Sequence, residues 1–171
     1  MTKIFNTKSN KYLTSGFYVL AIVVANIGFT YIPMIPLPGG EMFAPMSLLV
    51  GFVFVLRDFA QRDLEHKVFI PMGLGLVFSY LLANPFVAFA SAVAFAISEL
   101  VDWAVYTYSG KPIKERILIS SAVSTPADSA VFMLMLGFFS WYGFVVMVVS
   151  KMLGALAVYY ILKRKSDASF V

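Results

Sequence analysis

The chain of 171 residues is 60% apolar and 13% charged, with a mean hydropathy of +0.85. Because an average soluble domain is roughly half apolar and about a quarter charged, this composition nearly excludes a soluble domain and also excludes disordered and fibrous classes. The chain has no cysteine and a single histidine, His66, so thiolate-bound metals, haem and histidine-based catalysis lack their usual residues. The sequence therefore predicts a membrane protein that is not an enzyme and holds no metal or cofactor.

The hydropathy pattern predicts a single all-α domain over residues 1–171 with six transmembrane helices. A span needs about 20 apolar residues to cross a hydrocarbon core of roughly 30 Å. In chain order, the candidate spans cover residues 12–32, 42–56, 68–83, 85–108, 117–139 and 142–162. A Pro- and Gly-rich cluster follows the first span, a charged run at 57–63 follows the second, and an Asn84-Pro85 break divides the third from the fourth. The fifth span contains Pro126.

The basic residues alternate between the two sides of this arrangement. Three lie in each of four segments on one side, namely Lys3, Lys8 and Lys11; Arg57, Arg62 and Lys67; Lys111, Lys114 and Arg116; and Lys163, Arg164 and Lys165. The loops on the other side carry one charge, Glu41. Since Lys and Arg accumulate in cytoplasmic loops, both termini are predicted to be cytoplasmic. The net charge of +4 then reflects membrane topology and not nucleic-acid binding.

Four charged residues fall inside the predicted spans: Glu99, Asp102, Asp128 and Lys151. Each costs about 2.5–3.5 kcal/mol at the bilayer centre on insertion scales, so it is expected to face the bundle interior or water and to have a partner. Ser124 lies one helical turn before Asp128, and Asn26 is the deep polar residue of the first span. This pattern predicts a polar cavity in an apolar bundle, as a transporter or binding protein for a small solute requires. Pairing of Lys151 with Asp128 or Glu99 for helix packing alone is the simpler alternative.

Three short runs carry a resemblance to a known family. They are Leu-Arg-Asp-Phe-Ala-Gln at 56–61, Ser-Glu-Leu-Val-Asp at 98–102 followed by Tyr106, and a Ser-rich run at 120–129 that contains Asp128 and is followed by Phe132. In this order they resemble the VUT family of queuosine precursor transporters, over about residues 12–162; Pro126 departs from the third run. The resemblance implies a multi-pass carrier of the bacterial inner membrane, from a bacterial or phage genome, that imports 7-deazaguanine bases.

The predicted substrate-binding residues are Glu99, Asp128, Asn26, Lys151, Asp102, Trp103, Ser124 and Phe132, and the predicted gating residues are Arg57 and Asp58. A guanine-like base has adjacent N–H donors that one carboxylate accepts with charge assistance, and Glu99 is the first choice for this role, before Asp128. Asn26 or a serine would satisfy the carbonyl of the base, and Trp103 or Phe132 would stack on it. Lys151 would keep Asp128 charged or contact acceptor atoms of the base, and the gate would sit at the cytoplasmic mouth.

Two other functions stay open at this point. One is the substrate-binding subunit of an energy-coupling-factor vitamin importer, which is also a small six-helix membrane protein and needs a transmembrane partner. The other is a structural or regulatory membrane subunit, in which the buried charges would tolerate replacement as long as they stay balanced. The sequence also leaves open the driving force, the particular deazaguanine, and whether the protein is a monomer or a homodimer in the lipid bilayer.

Overall fold

The computed structural model describes residues 8–37, 40 and 42–168, and nearly all of this part is helical. Its helices are α1 (Lys8–Tyr31), α2 (Ser47–Leu64), α3 (Phe69–Leu82), α4 (Pro85–Tyr108), α5 (Ile113–Leu136) and α6 (Trp141–Ala168). A 3₁₀ turn at Glu65–Val68 joins α2 to α3. Two short strands, β1 (Ile35–Pro36) and β2 (Met42–Phe43), pair antiparallel between α1 and α2, with Ile35 opposite Phe43. The predicted all-α fold class is confirmed, whereas Lys3 and Glu41 of the charge pattern lie outside the described residues.

Four of the described helices are long and apolar enough to cross a membrane. The qualifying segments are Tyr12–Tyr31, Pro85–Tyr108, Glu115–Leu136 and Trp141–Ile161. Two of the six predicted spans are not among them. Helix α3 has 14 residues, so at 1.5 Å per residue it is about 21 Å long, and the C-terminal half of α2 carries Arg57 and Asp58. The architecture therefore supports an integral membrane protein.

The second predicted span differs most from the structure. It was expected to cover 42–56 and to end at the charged run, but Met42–Phe43 form β2 and α2 continues from Ser47 to Leu64. Arg57, Asp58 and Gln61 are all buried. The helix continues because these polar side chains find partners inside the protein and need no contact with water.

Local sequence signals set the ends of α4 and α5. Asn84 accepts hydrogen bonds from the backbone N–H groups of Phe86 at 3.0 Å and Val87 at 3.3 Å, so it caps α4. Gly137 ends α5 with a left-handed φ of 75°, which glycine adopts without strain. Helix α5 stays continuous through Pro126.

The helices pack into one bundle in which α2 contacts α6, α4 runs along α5, α5 also contacts α6, and α1 lies against α2 and α3. The backbones of α2 and α6 approach closely where two glycines face each other. A Cβ added to Gly51 would overlap the backbone carbonyl oxygen of Lys151, and one added to Gly154 would lie 2.7 Å from the carbonyl carbon of Gly51. Large apolar side chains remain exposed along the outside of the helices, as lipid contact requires: Phe17, Leu20, Val24, Leu74, Val77, Phe78, Leu81, Phe86, Phe89, Val145, Val149 and Leu153.

Candidate functional site

The bundle interior holds two groups of buried charged side chains. Arg57, Asp58, Glu99, Asp102, Asp128 and Lys151 all expose 6% of their surface or less. We call Lys151 and Asp128 the Lys151 pair. We call Arg57, Asp58, Glu99 and Asp102, together with Tyr18, the Arg57 cluster.

The Lys151 pair joins α6 to α5. Lys151 Nζ lies 2.5 Å from Asp128 Oδ2 and donates a second hydrogen bond to Ser129 Oγ at 2.9 Å. The other carboxylate oxygen, Asp128 Oδ1, accepts from Ser98 Oγ of α4 at 3.3 Å. One positive and one negative charge make the pair neutral, and the hydroxyl groups supply the additional hydrogen bonds that a buried ion pair needs.

A cavity lies beside the Lys151 pair, between α1, α2, α4, α5 and α6. Its lining combines polar side chains with aromatic and aliphatic ones: Asn26, Ser91, Asp128, Lys151, Phe29, Phe95, Phe132, Ile22, Ala25, Val50 and Val53. Asn26 is buried; its Nδ2 donates to the Ile22 carbonyl oxygen at 3.0 Å, whereas its Oδ1 has no hydrogen-bond partner among the described residues. The rings of Phe29 and Phe132 are 4.9 Å apart between their centroids. The cavity therefore offers both hydrogen-bonding groups and flat apolar surfaces.

The cavity is narrow in this structure. Its volume of about 20 Å³ is enough for a water molecule. A solute larger than water would enter only if neighbouring side chains such as Phe29 and Phe132 separated. As the structure shows it, the cavity has no room for such a solute.

Arg57 is the centre of the second group. Its Nε donates to Glu99 Oε2 at 2.6 Å and its Nη2 donates to the Glu99 backbone carbonyl oxygen at 3.1 Å. Its Nη1 donates to Asp102 Oδ2 at 2.6 Å and to Asp58 Oδ1 at 3.3 Å. The planar guanidinium group, with its five N–H donors, is suited to bind several acceptors in this way.

Hydroxyl groups from α1 and α5 complete the Arg57 cluster. The Tyr18 hydroxyl donates to Glu99 Oε2 at 3.3 Å. Ser120 Oγ donates to Asp58 Oδ2 at 3.3 Å, and Ser124 Oγ donates to Asp102 Oδ1 at 3.4 Å. Glu99 Oε1 is buried and has no hydrogen-bond partner among the described residues. The cluster therefore ties α1, α2, α4 and α5 together.

A wider opening lies at the far side of the Arg57 cluster from the cavity, and we call it the vestibule. It has a volume of about 300 Å³ and is lined by Gln61, Arg62, Glu65, His66, Tyr106, Thr107 and Arg116. Gln61 follows Arg57 by one helical turn, and Tyr106 follows Asp102 by one turn. Along α4 the chain thus passes from the cavity through the cluster to the vestibule. The Arg57 cluster separates the two openings.

The structure divides the sequence-predicted site residues into three places. Four of them line the cavity: Asn26, Asp128, Lys151 and Phe132. The Arg57 cluster contains Glu99, Asp102, Arg57 and Asp58, and Ser124 lies at its edge. Trp103 lies apart from both. Its Nε1 donates to His66 Nδ1 at 3.2 Å, and its ring centroid is 5.9 Å from that of Phe69.

Two placements differ from the expectation. The sequence put Arg57 and Asp58 at the exposed cytoplasmic end of a span, but both are fully buried. Glu99, the first choice for contact with the base, is bound to Arg57 and is not part of the cavity lining.

Sequence reasoning missed Tyr18 and Phe29, although a signal for both was present. Tyr18, Ile22 and Asn26 are spaced by four residues, and Phe29 follows Asn26 by three, so all four lie on one face of α1. The face that presents Asn26 to the interior therefore also presents Tyr18 to the Arg57 cluster and Phe29 to the cavity.

Within the described part of the chain, no three His, Cys, Asp or Glu side chains are arranged to hold a metal ion. Compared with models of protein families, with curated proteins and with solved structures, the chain matches none of them. The fold and the site together support a helical membrane protein with a charged interior.

Proposed function

We propose that this protein is a transporter that imports 7-deazaguanine bases, the precursors of queuosine, across the bacterial inner membrane. The observation that carries the proposal is the cavity, which Asn26, Asp128 and Lys151 line together with Phe29 and Phe132 inside an apolar bundle. Hydrogen-bonding groups beside flat aromatic surfaces fit a planar heteroaromatic solute. The VUT-like motifs of the sequence supply the particular substrate class.

Each polar group of the cavity has a role toward such a base. The Asp128 carboxylate accepts the adjacent N–H donors of the pyrimidine edge, in a charge-assisted pair of hydrogen bonds. Lys151 donates to the carbonyl oxygen of the base, and the unpartnered Asn26 Oδ1 accepts a further N–H group. Phe29 and Phe132 stack on the two faces of the ring after they separate.

In this proposal all six helices cross the membrane and both termini are cytoplasmic. Helix α3 is short, but its exposed apolar side chains suit a lipid-facing position, and local thinning of the bilayer accommodates a short span. The vestibule, with Arg62, His66 and Arg116, then opens to the cytoplasm. The Arg57 cluster closes the path between cavity and cytoplasm, which is the gating role expected of Arg57 and Asp58.

Binding to the purified protein tests the proposal, with 7-deazaguanine, guanine, adenine and a set of vitamins as probes. We expect micromolar binding of 7-deazaguanine, weakened about tenfold by Asn26→Ala because one buried hydrogen bond is lost. Ser79→Ala is the matched control, since Ser79 Oγ is also buried and has no hydrogen-bond partner in the described part of the chain, but lies on α3, outside the cavity lining. The control variant should bind like the unchanged protein.

Three results would contradict the proposal. Binding of no base at all would remove the substrate class. Binding of a vitamin, together with co-purification of a membrane partner, would favour the energy-coupling-factor subunit. Equal weakening by Asn26→Ala and Ser79→Ala would show that binding does not depend on the cavity.

Glu99→Gln, which alters the Arg57 cluster, is expected to abolish uptake while leaving membrane insertion intact.

A further inference from the structure

The Arg57 cluster carries more negative than positive charge. Its charged members among the described residues are one guanidinium group and three carboxyl groups, and each of these residues exposes 1% of its surface or less. The Lys151 pair lies beyond Ser98 and is neutral by itself, so it offers no spare positive charge. With every carboxyl group ionised, the cluster would hold two uncompensated negative charges out of contact with water. Such an arrangement is very costly, and buried groups avoid it by taking up a proton.

The contacts of the three carboxyl groups show where a proton fits. Asp58 and Asp102 both accept from the same nitrogen, Arg57 Nη1, at 3.3 Å and 2.6 Å, so this nitrogen holds their two accepting oxygens a short distance apart. Two carboxylate oxygens repel at that distance unless one of them carries a proton. Glu99 differs, because it receives Arg57 Nε and the Tyr18 hydroxyl on one oxygen. Its other oxygen, Oε1, is buried without a partner among the described residues and is free to receive a proton in turn.

Apart from Lys151, which is paired with Asp128, the surroundings of the cluster contain no second buried cation among the described residues. Helix α1 contributes the Tyr18 hydroxyl, and α5 contributes the hydroxyl groups of Ser120 and Ser124. Helix α4 adds Tyr106 on the vestibule side. Arg116 stacks on the Tyr106 ring at 5.2 Å and, like Arg62, belongs to the vestibule lining. Arg57 therefore faces the three carboxyl groups alone.

We propose that the Arg57 cluster binds one exchangeable proton, shared by Asp58 and Asp102, and that this proton crosses the membrane together with the transported base. The proton reaches the cluster from the cavity side when the helices open there, and Glu99 Oε1 accepts it first. It leaves from the Asp58–Asp102 pair to water in the vestibule, past Gln61 and Tyr106, which lie one turn further along the same helices. Loss of the proton restores the repulsion between the two aspartates, which opens the gate to the cytoplasm.

The proton-binding half of this inference is testable without any substrate. In a maltoside detergent, which has no ester carbonyl group, infrared spectroscopy resolves the carbonyl band of a protonated carboxyl group from that of a carboxylate. Carbon-13 labelling of the aspartate carboxyl groups shifts the band of an aspartic acid and leaves that of a glutamic acid unchanged. We expect a label-sensitive band at pH 7 that is lost in Asp58→Asn and in Asp102→Asn.

Two further variants make this measurement specific. Asp63→Asn is the matched control, because Asp63 lies on the same helix in an ion pair with the exposed Arg62, and its band pattern should not change. Asp102→Glu keeps the charge, and it should weaken the label sensitivity of the band because the shared proton then lies partly on a glutamic acid. This variant covers the case that the asparagine variants fail to fold. Absence of the band in the unchanged protein overturns the inference, as does a labelled band that persists at full strength in every Asp58 and Asp102 variant.

The coupling half rests on the proposed function and needs proteoliposomes loaded at a fixed pH, with 7-deazaguanine outside. For one proton per base, an inward gradient of one pH unit supports an accumulation of up to about tenfold, because both correspond to the same free energy. A protonophore should abolish the accumulation. Asp102→Asn should let the base equilibrate without accumulating, and Asp63→Asn should accumulate it normally.

The outcomes separate the two proposals. Uptake that does not depend on the pH gradient overturns the proposed proton coupling and leaves the transporter function in place. No binding and no uptake overturn the transporter function and the coupling with it, while the infrared band still decides whether the cluster holds a proton. Accumulation that is equally lost in Asp102→Asn and Asp63→Asn overturns the assignment of the proton to the cluster.

Discussion

The Lys151 pair and the Arg57 cluster solve the same physical problem, which is to keep charge inside an apolar bundle, in opposite ways. The pair is neutral and lines a cavity. Lys151 donates a further hydrogen bond to Ser129, and Asp128 accepts one from Ser98. The cluster has three carboxyl groups around one guanidinium group and lies between that cavity and the vestibule.

This difference indicates that the Lys151 pair and the Arg57 cluster have different roles. A neutral pair beside a cavity can exchange one partner for a solute at little cost, because a polar ligand replaces the hydrogen bonds that are lost. A cluster that joins four helices through one arginine cannot lose its centre without leaving three acids unpaired. The pair is suited to binding and the cluster to closing the path, and the two should respond differently to mutation.

Arg57→Met is expected to have the largest effect on folding. Removing one partner of a buried ion pair costs about 3–5 kcal/mol, and here three carboxyl groups lose their cation together. Arg57→Lys should recover part of this loss, since an ammonium group is a point charge without the planar fork that reaches Glu99, Asp58 and Asp102 at once. The free energy of unfolding in mixed detergent and SDS micelles measures the effect.

Arg62→Met is the control for this variant. Arg62 lies one turn further along α2 and pairs with Asp63 at 2.9 Å, but its side chain is 40% exposed. Loss of an exposed pair costs at most about 1 kcal/mol. If both variants lost the same stability, the Arg57 cluster would not be the tie between the helices that the contacts indicate.

Lys151→Met is expected to lower the free energy of unfolding by about 3 kcal/mol, which is less than Arg57→Met. Asp128 keeps its hydrogen bond from Ser98 and faces the cavity, where water can enter, so the remaining charge is partly compensated. Adding Asp128→Asn should restore most of the stability, because no unpaired charge remains, yet the double variant should not bind 7-deazaguanine. A double variant that still binds the base would contradict the role of the pair.

The contrast between the two regions was only half predictable from the sequence. An ammonium group in the middle of an apolar span requires a carboxylate, so a partner for Lys151 could be expected, and Asp128 or Glu99 were the candidates. Asn84 and Pro85 likewise marked the start of α4, because the capping side chain and the first helical residue are local signals.

Arg57 shows why the other half could not be predicted. Hydropathy shows where an apolar run ends, and at residue 57 the run does end. Its partner Glu99 is 42 residues away in sequence, so only the packing of α2 against α4 decides whether the arginine is buried. The burial of the C-terminal half of α2 follows from the same tertiary packing, which span length does not encode. The short α3, by contrast, agrees with the predicted span at 68–83.

Gly51→Ala tests the support behind the Lys151 pair. The added methyl group would meet the backbone carbonyl of Lys151, so α2 and α6 must move apart, at a cost of about 2 kcal/mol for overpacking. This shift also displaces Lys151 relative to Asp128, and we expect weaker binding of 7-deazaguanine in addition. Gly16→Ala is the matched control, because no atom of the described residues beyond its own stretch of helix lies within 4 Å of the position of its Cβ. That variant should have the same free energy of unfolding as the unchanged protein, or a slightly larger one.

The smallest difference concerns one serine in each region. Ser129 Oγ accepts from Lys151 at 2.9 Å, whereas Ser124 Oγ donates to Asp102 at 3.4 Å. Hydrogen bonds between membrane helices contribute about 0.6 kcal/mol on average, and we expect this loss for Ser129→Ala. We expect less for Ser124→Ala, because the bond is long and Asp102 retains Arg57. Unfolding of the two variants side by side checks the order. A larger loss of unfolding free energy for Ser124→Ala would mean that the Arg57 cluster depends on its hydroxyl groups as much as on its arginine. The Lys151 pair and the Arg57 cluster would then not differ in the way their contacts imply.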